Sequence, residues 1–151
     1  MRDFRPGDEA AFRDLNLAWI EKYFGIEAED RAQLERLDDS VFAKCGRVLL
    51  AEDKGEVVGT VALIPMDEGC VELAKMSARE DLRGHGIGSA LMDAAIAAAG
   101  EMGADRIWIE TNDTLSAALS LYRSAGFEVL DRQDWHATPY SRCNVQMLKR
   151  L

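Results

Sequence analysis

The apolar positions of this chain change period along its length. Phe12, Leu15, Trp19 and Tyr23 recur at helical spacing, opened by Pro6-Gly7-Asp8 with Asp8 as N-cap and closed by Gly25. A second, acidic helix is predicted over residues 27–38, carrying Leu34 and Leu37. The period then becomes that of strands. Arg47–Glu52 (RVLLAE) is followed by a turn at Asp53-Lys54-Gly55, and Val57–Ile64 (VVGTVALI) returns as a hairpin stopped by Pro65. Cys70–Ala78 (CVELAKMSA) reads as a further strand, with alternation placing Glu72, Ala74, Met76 and Ala78 on one face and Val71, Leu73 and Lys75 on the other. A helix with Ile87, Leu91, Ala95, Ala98 and Met102 on one side ends at Gly100 or Gly103. Asp105–Thr111 is a strand, and Asn112-Asp113-Thr114 supplies N-cap candidates for a helix bearing Leu115, Ala118, Leu119 and Tyr122 that closes at Gly126. Phe127–Leu130 begins another strand. A polar and aromatic loop over Gln133–Arg142 leads to a last strand near Cys143–Leu148. This order predicts an α+β fold, a mixed sheet with helices on its faces.

With 151 residues and no repeat or linker, the chain reads as a single domain over 1–151. A net charge of −9 argues against nucleic acid and anionic membrane as partners. Residues 1–40 carry much of it, with 11 acids against 6 bases. No apolar run approaches the ~20 residues of a membrane helix, and the N-terminus lacks a signal-peptide pattern. Cys45, Cys70 and Cys143 form no CxxC pair, so neither a metal site nor a disulfide framework is expected, and a cytoplasmic setting is.

The candidate chemistry begins at Arg83–Ser89 (RGHGIGS), where Gly84, Gly86 and Gly88 alternate at the start of a helix. Glycine lets a ligand approach the backbone, and the amides of Gly84, His85, Gly86, Ile87, Gly88 and Ser89 can converge at a helix end of partial positive charge. That is an anion site suited to a pyrophosphate, with Arg83 adding a charge-assisted bond. A P-loop requires Gly-Lys-Ser/Thr, which is absent. A dinucleotide fingerprint places its first glycine directly after an apolar strand, and here Arg79–Arg83 (REDLR) intervenes. A connector without a ligand is the remaining alternative.

The full string, Ser77-Ala78-Arg79-Glu80-Asp81-Leu82-Arg83-Gly84-His85-Gly86-Ile87-Gly88-Ser89-Ala90-Leu91, resembles the acetyl-CoA signature of the GNAT N-acetyltransferase superfamily, Gln/Arg-x-x-Gly-x-Gly/Ala, on Arg83, Gly86 and Gly88. Ala118-Leu119-Ser120-Leu121-Tyr122-Arg123-Ser124-Ala125-Gly126-Phe127 is similar to that family's second block. The resemblance covers about residues 45–150. It implies a mostly antiparallel, splayed sheet and acetyl transfer from acetyl-CoA to an amine by direct attack in a ternary complex, without a metal. Pantetheine would pair with the backbone at Met76, Ser77 and Ala78 as an added strand.

By the same resemblance Tyr122 matches the general acid that protonates the leaving thiolate, the alternative being a core tyrosine with a satisfied hydroxyl. Glu72, six residues before Ala78, stands where some members carry their general base. It reads equally as a solvated strand charge or as a partner for Lys75 or Arg106, and Glu110 is the second candidate. Many relatives have asparagine seven residues before the tyrosine, whereas this chain has Leu115, with Asn112 or Thr111 as substitutes for that pantetheine contact. Trp19, Tyr23, Trp135, Tyr140 and Arg142 fall in segments that line the family's acceptor pocket. Trp19 and Tyr23 read first as core. Arg142 reads as a clamp for a substrate carboxylate or as a surface ion pair. His85 is expected to matter through its backbone alone, and His136 as an exposed loop residue. The acceptor is expected to be a small primary amine. A protein or peptide acceptor and a non-catalytic acyl-CoA sensor are the alternatives, and a homodimer is a family-level expectation.

Overall fold

The structure, a computed structural model, describes all residues 1–151. A short β1 (Arg2–Asp3) precedes three helical segments, α1 (Glu9–Tyr23), α2 (Ala28–Glu35) and α3 (Leu37–Ser40). The meander β2 (Arg47–Asp53), β3 (Glu56–Pro65) and β4 (Cys70–Ala78) follows. Then come α4 (Ile87–Glu101), β5 (Arg106–Thr111), α5 (Ser116–Ser124), β6 (Glu128–Val129) and β7 (Val145–Arg150). The seven strands form one sheet in the order β1-β2-β3-β4-β5-β7-β6, in which only β4 and β5 run parallel. This is the expected α+β mixed sheet. The β2–β3 hairpin turns through Lys54 and Gly55, both at positive φ, as a tight hairpin turn requires.

Strand alternation builds a core on each side of the sheet. Leu49 and Ala51 of β2 and Val61 and Leu63 of β3 join Leu91, Ala95 and Ala98 of α4 and Leu119 and Tyr122 of α5. Val48 and Leu50, with Ala62 and Ile64, face the opposite way onto Phe12, Ile20, Leu34 and Leu37. Central strands covered on both faces read as continuous apolar runs, as RVLLAE and VVGTVALI do. Gly59 lets α4 start directly on β3, since a Cβ there would meet Leu91 Cδ1 at 2.8 Å and Ile87 Cγ2 at 3.0 Å.

The N-terminal region departs from expectation in three ways. Asp8 does not cap α1, because its carboxylate is taken by the Arg5 amide and the Arg2 guanidinium. The acidic helix is two helices, broken at Arg36. The buried stripe of α1 is Phe12, Asn16 and Ile20, one position round from Leu15, Trp19 and Tyr23. Those three line a cavity, and Trp19 also packs against the core beneath α1.

The feature that shapes the molecule is the parting of β4 from β5. They pair only from Cys70↔Arg106 to Glu72↔Trp108. Beyond that point β4 stays with β3 as far as Ala78↔Gly59, and β5 stays with β7 as far as Thr111↔Val145. A β-bulge begins the divergence. The register slips between Thr60 and Ala62, placing Lys75 and Met76 opposite one β3 residue, with Lys75 at φ 54°. The Thr60 hydroxyl fixes the bulge by donating to the Lys75 carbonyl while accepting from the Asn16 amide of α1. The extra residue also reverses the strand's parity. Met76 packs on the same core as Val71 and Leu73, and not on the Glu72 face that simple alternation assigned to it.

Candidate active site

A cavity of about 940 Å³ fills the gap between the parted strands, running from the start of α4 to the loop after β6. At one end lies the glycine loop. Gly84 and Gly86 adopt φ of 87° and 77°, which L side chains rarely adopt, although a Cβ at either would meet nothing within 4 Å. The glycines are therefore required by the backbone path. The amides of Gly84, Gly86, Ile87, Gly88 and Ser89 have no acceptor within the protein, and all five residues line the cavity with Arg83. Open amides at the start of a fifteen-residue helix suit an anion. His85 departs from the expected set. Its amide and ring both engage the Leu82 carbonyl, and its side chain faces away from this cavity.

Along one wall runs the edge of β4 from Leu73 to Ala78, which has no strand partner on the β5 side. The Arg79 amide donates to Val58 across the β3 side, so by alternation the Ala78 groups point into the gap. Met76, Ser77 and Ala78 line it, and the Ser77 hydroxyl ties this edge to α1 through the Leu15 carbonyl. Asn112 stands opposite but is already engaged. Its amide donates to the Arg142 carbonyl, and its Oδ1 accepts from the Thr114 amide and hydroxyl. It staples the strand end to the following loop, and replacing the missing asparagine contact would cost those bonds.

Three ionisable groups expected to act on substrate meet at the cavity. Tyr122 is 8% exposed, packed against Phe127, and burial pushes its phenol up to about 12. Glu72 lies where β4 leaves β5, and burial, helped by the nearby Glu110 charge, pushes its carboxyl up to about 7. Burial also raises Glu110, against hydrogen bonding from Thr138 and Cys143, and its Oε2 is buried with no hydrogen-bond partner. Neither Glu72 nor Glu110 is in an ion pair, so the reading of Glu72 as a partner for Lys75 or Arg106 does not hold.

The far wall is built from side chains. Arg142 is neither a free clamp nor a surface ion pair. Its Nη1 donates to Asp30 Oδ2 at 2.8 Å and Glu27 Oε2 at 3.1 Å, and its Nη2 to Asp30 Oδ1 at 2.5 Å. Asp30 is fully buried, and the pair ties the loop before β7 to the start of α2. Burial pushes the Asp30 carboxyl up, but the Arg142 and Glu27 hydrogen bonds outweigh it and hold it below the ordinary range. The guanidinium also lies 4.3 Å from the Tyr140 ring centroid. The Tyr140 hydroxyl in turn accepts a 2.9 Å hydrogen bond from Lys75. Lys75 was missed in the sequence as a site residue. The signal was a lysine in the middle of a strand between apolar neighbours, and the bulge turns it into the cavity. His136 and Trp135 are not among the cavity residues. The His136 backbone is clamped by Gln146 and its ring packs on Trp108.

The chain matches the model of the "Acetyltransferase (GNAT) family" over residues 11–127. It is 35% identical over 105 residues to the uncharacterized N-acetyltransferase YjgM of Escherichia coli K12, a match spanning 68% of this chain and 62% of that protein. Among solved structures, a GNAT-family acetyltransferase from Staphylococcus aureus Mu50 superposes with a TM-score of 0.89 at 23% identity, covering 99% of this chain and 96% of that one. The putative acetyltransferase yncA of Salmonella typhimurium, solved with its cofactor acetyl-CoA, superposes with a TM-score of 0.73 at 19% identity, covering 99% and 91%. No helix of this chain is long and apolar enough to cross a membrane. The open amides after Arg83, the parted strands and the cavity that holds Glu72, Glu110 and Tyr122 thus sit in a chain that belongs to the GNAT acetyltransferase family.

Proposed function

We propose that this chain transfers an acetyl group from acetyl-CoA to the primary amine of a small molecule. The observation that carries the reading is that one continuous cavity holds five open loop amides, an unpaired strand edge, a carboxyl with its pKa near 7 and a buried phenol. The residues present fit the donor: Gly84, Gly86, Ile87, Gly88 and Ser89 would hold its pyrophosphate with Arg83, and the Met76–Ala78 edge its amide arm. When bound it supplies an acetyl thioester.

Glu72 takes a proton from the substrate ammonium, since only the neutral amine attacks. A carboxylate with its pKa near 7 is matched to that work at neutral pH. The amine nitrogen then forms a bond to the acetyl carbon as the carbon–sulfur bond breaks, and the second nitrogen proton ends on sulfur. Tyr122 donates a hydrogen bond to that sulfur while its charge develops. From a phenol at about 12 to a thiol near 8.5, complete proton transfer is uphill by roughly 5 kcal/mol, so Tyr122 stabilises the sulfur while keeping its proton.

The deciding experiment follows CoA release from acetyl-CoA across a panel of primary amines. Turnover with at least one of them is expected. Tight acetyl-CoA binding without turnover on any amine would replace this reading with that of a non-catalytic acyl-CoA sensor.

A further inference from the structure

The acceptor end of the cavity holds opposite charges that do not pair. Lys75 is half-buried on the bulge, and its only hydrogen-bond acceptor is the neutral Tyr140 hydroxyl; no carboxylate lies within ion-pairing distance. Glu110 presents a buried Oε2 with no partner, and Glu72 stands beside it without one. All three line the same cavity. Isolated buried charges are costly, and a flexible lysine close to two carboxylates would be expected to close onto one of them.

The structure shows what holds them apart. Thr60 anchors the Lys75 carbonyl, the bulge aims its side chain, and Tyr140 engages its ammonium. Tyr140 is itself set by stacking on Arg142 and by the hydrogen bond its backbone N–H donates to the Thr138 hydroxyl. Arg142, the residue that sequence suggested for a carboxylate, is consumed by Asp30 and Glu27. Lys75, with ammonium protons to spare and no carboxylate partner, faces the cavity beside the two glutamates. Burial holds the Lys75 ammonium below its ordinary range; Asp30 is the carboxylate that most favours its charge, and Arg142 opposes it.

Resting on the acetyl-transfer reading, we propose that the acceptor is a small zwitterion of the amino-acid class, its carboxylate bound by Lys75 and its ammonium received between Glu72 and Glu110. The arrangement is complementary to both ends of such a molecule and pays the desolvation of each cavity charge with a ligand charge of opposite sign. A peptide N-terminus lacks the carboxylate beside its amine and satisfies only half of the site.

The test uses the full chain with acetyl-CoA. CoA release is measured with each common α-amino acid and with its carboxamide, which keeps the amine and side chain and removes the carboxylate charge. A polyamine and a tripeptide serve as further acceptors. The carboxamide's amine is the weaker base, so the informative quantity is how the acid-to-amide ratio in kcat/KM changes between variants. Wild type is expected to favour at least one amino acid about tenfold or more, and Lys75→Met to lower that ratio by about tenfold or more. Lys75→Met is also expected to melt at a higher temperature, because an unpaired, half-buried charge is gone. Equal use of acid and amide by wild type, or a ratio untouched by Lys75→Met, overturns the proposal and leaves acetyl transfer standing.

Calorimetry of the wild type with free CoA, titrating amino acid against carboxamide, reads the same preference without any variant and without turnover. Binding of an amino acid but not its carboxamide supports the role of Lys75 even where CoA release fails with every amine. Binding of neither overturns it.

Discussion

At the glycine-loop end of the cavity the polar groups are backbone amides of neighbouring residues, Gly84 to Ser89. At the other end they are side chains from α2, β4, β5 and the loop before β7. The first end carries no buried ion. The second carries Glu72, Lys75, Glu110, Tyr140, Asp30 and Arg142, all shifted. Backbone dipoles bind an anion without bringing a buried charge into the folded protein, so a chain of net charge −9 can hold a polyanion there. Side-chain ions discriminate among ligands more finely, and their cost is borne in the unliganded state. Under the proposed function, the perturbed groups gathered in this cleft are the ones that do the chemistry.

The contrast can be broken most sharply at Glu72. Glu72→Gln is expected to lower kcat about 10³-fold, within the range of a lost general base, and to remove the rise in kcat/KM through pH 7 that the wild type should show. The sign for stability is opposite to that for activity. A carboxyl whose pKa is raised on folding binds more protons folded than unfolded, so wild-type stability falls as pH climbs from about 4.5 to 7. Glu72→Gln should therefore gain about 2–3 kcal/mol over wild type at pH 8 and little at pH 4, measured by urea unfolding. No gain would place the Glu72 charge in water.

Arg142→Met tests the wall itself. It strands a fully buried Asp30 and is expected to cost about 3 kcal/mol, some 150-fold in the folding equilibrium, read from the same unfolding curves. A loss below about 1 kcal/mol would make the pair ornamental. At the backbone end, Gly86→Val forces a β-branched residue to φ 77° and should weaken CoA binding about 100-fold by calorimetry. Retained affinity would move the anion site elsewhere. The smallest effect belongs to Tyr122→Phe, about tenfold in kcat with CoA affinity unchanged, because one hydrogen bond to the leaving sulfur is removed. An unchanged rate would make Tyr122 a core residue and nothing more.

The same contrast explains what could be read in advance. The glycine loop, its helix and the succession of strands from β2 to β5 follow from local spacing, and a backbone site is written in consecutive residues. The acceptor wall was hidden because its bonds join residues far apart. Arg142 and Asp30 are 112 positions apart, and nothing local says that one neutralises the other. The bulge at Lys75 was invisible for a different reason. Strict alternation assumes an unbroken ladder, and a single extra residue reversed the parity of Met76 and brought a lysine into the site. Asn112 was seen as available because sequence shows a side chain's donors but not their prior engagement with Arg142 and Thr114.

The Asp30–Arg142 bond also bears on how such a molecule can be rebuilt. It joins the opening helices to the closing loop across the mouth of the acceptor site, so the wall is a joint product of the two ends of the chain. Exchanging residues 1–45 with a relative would import a new partner for Arg142 or none, and exchanging the tail alone would strand Asp30. The glycine loop lies wholly between those segments. Recombination that moves head and tail together can therefore present a different acceptor to an unaltered donor site, and recombination that moves one alone meets a folding defect before it can reach a new specificity.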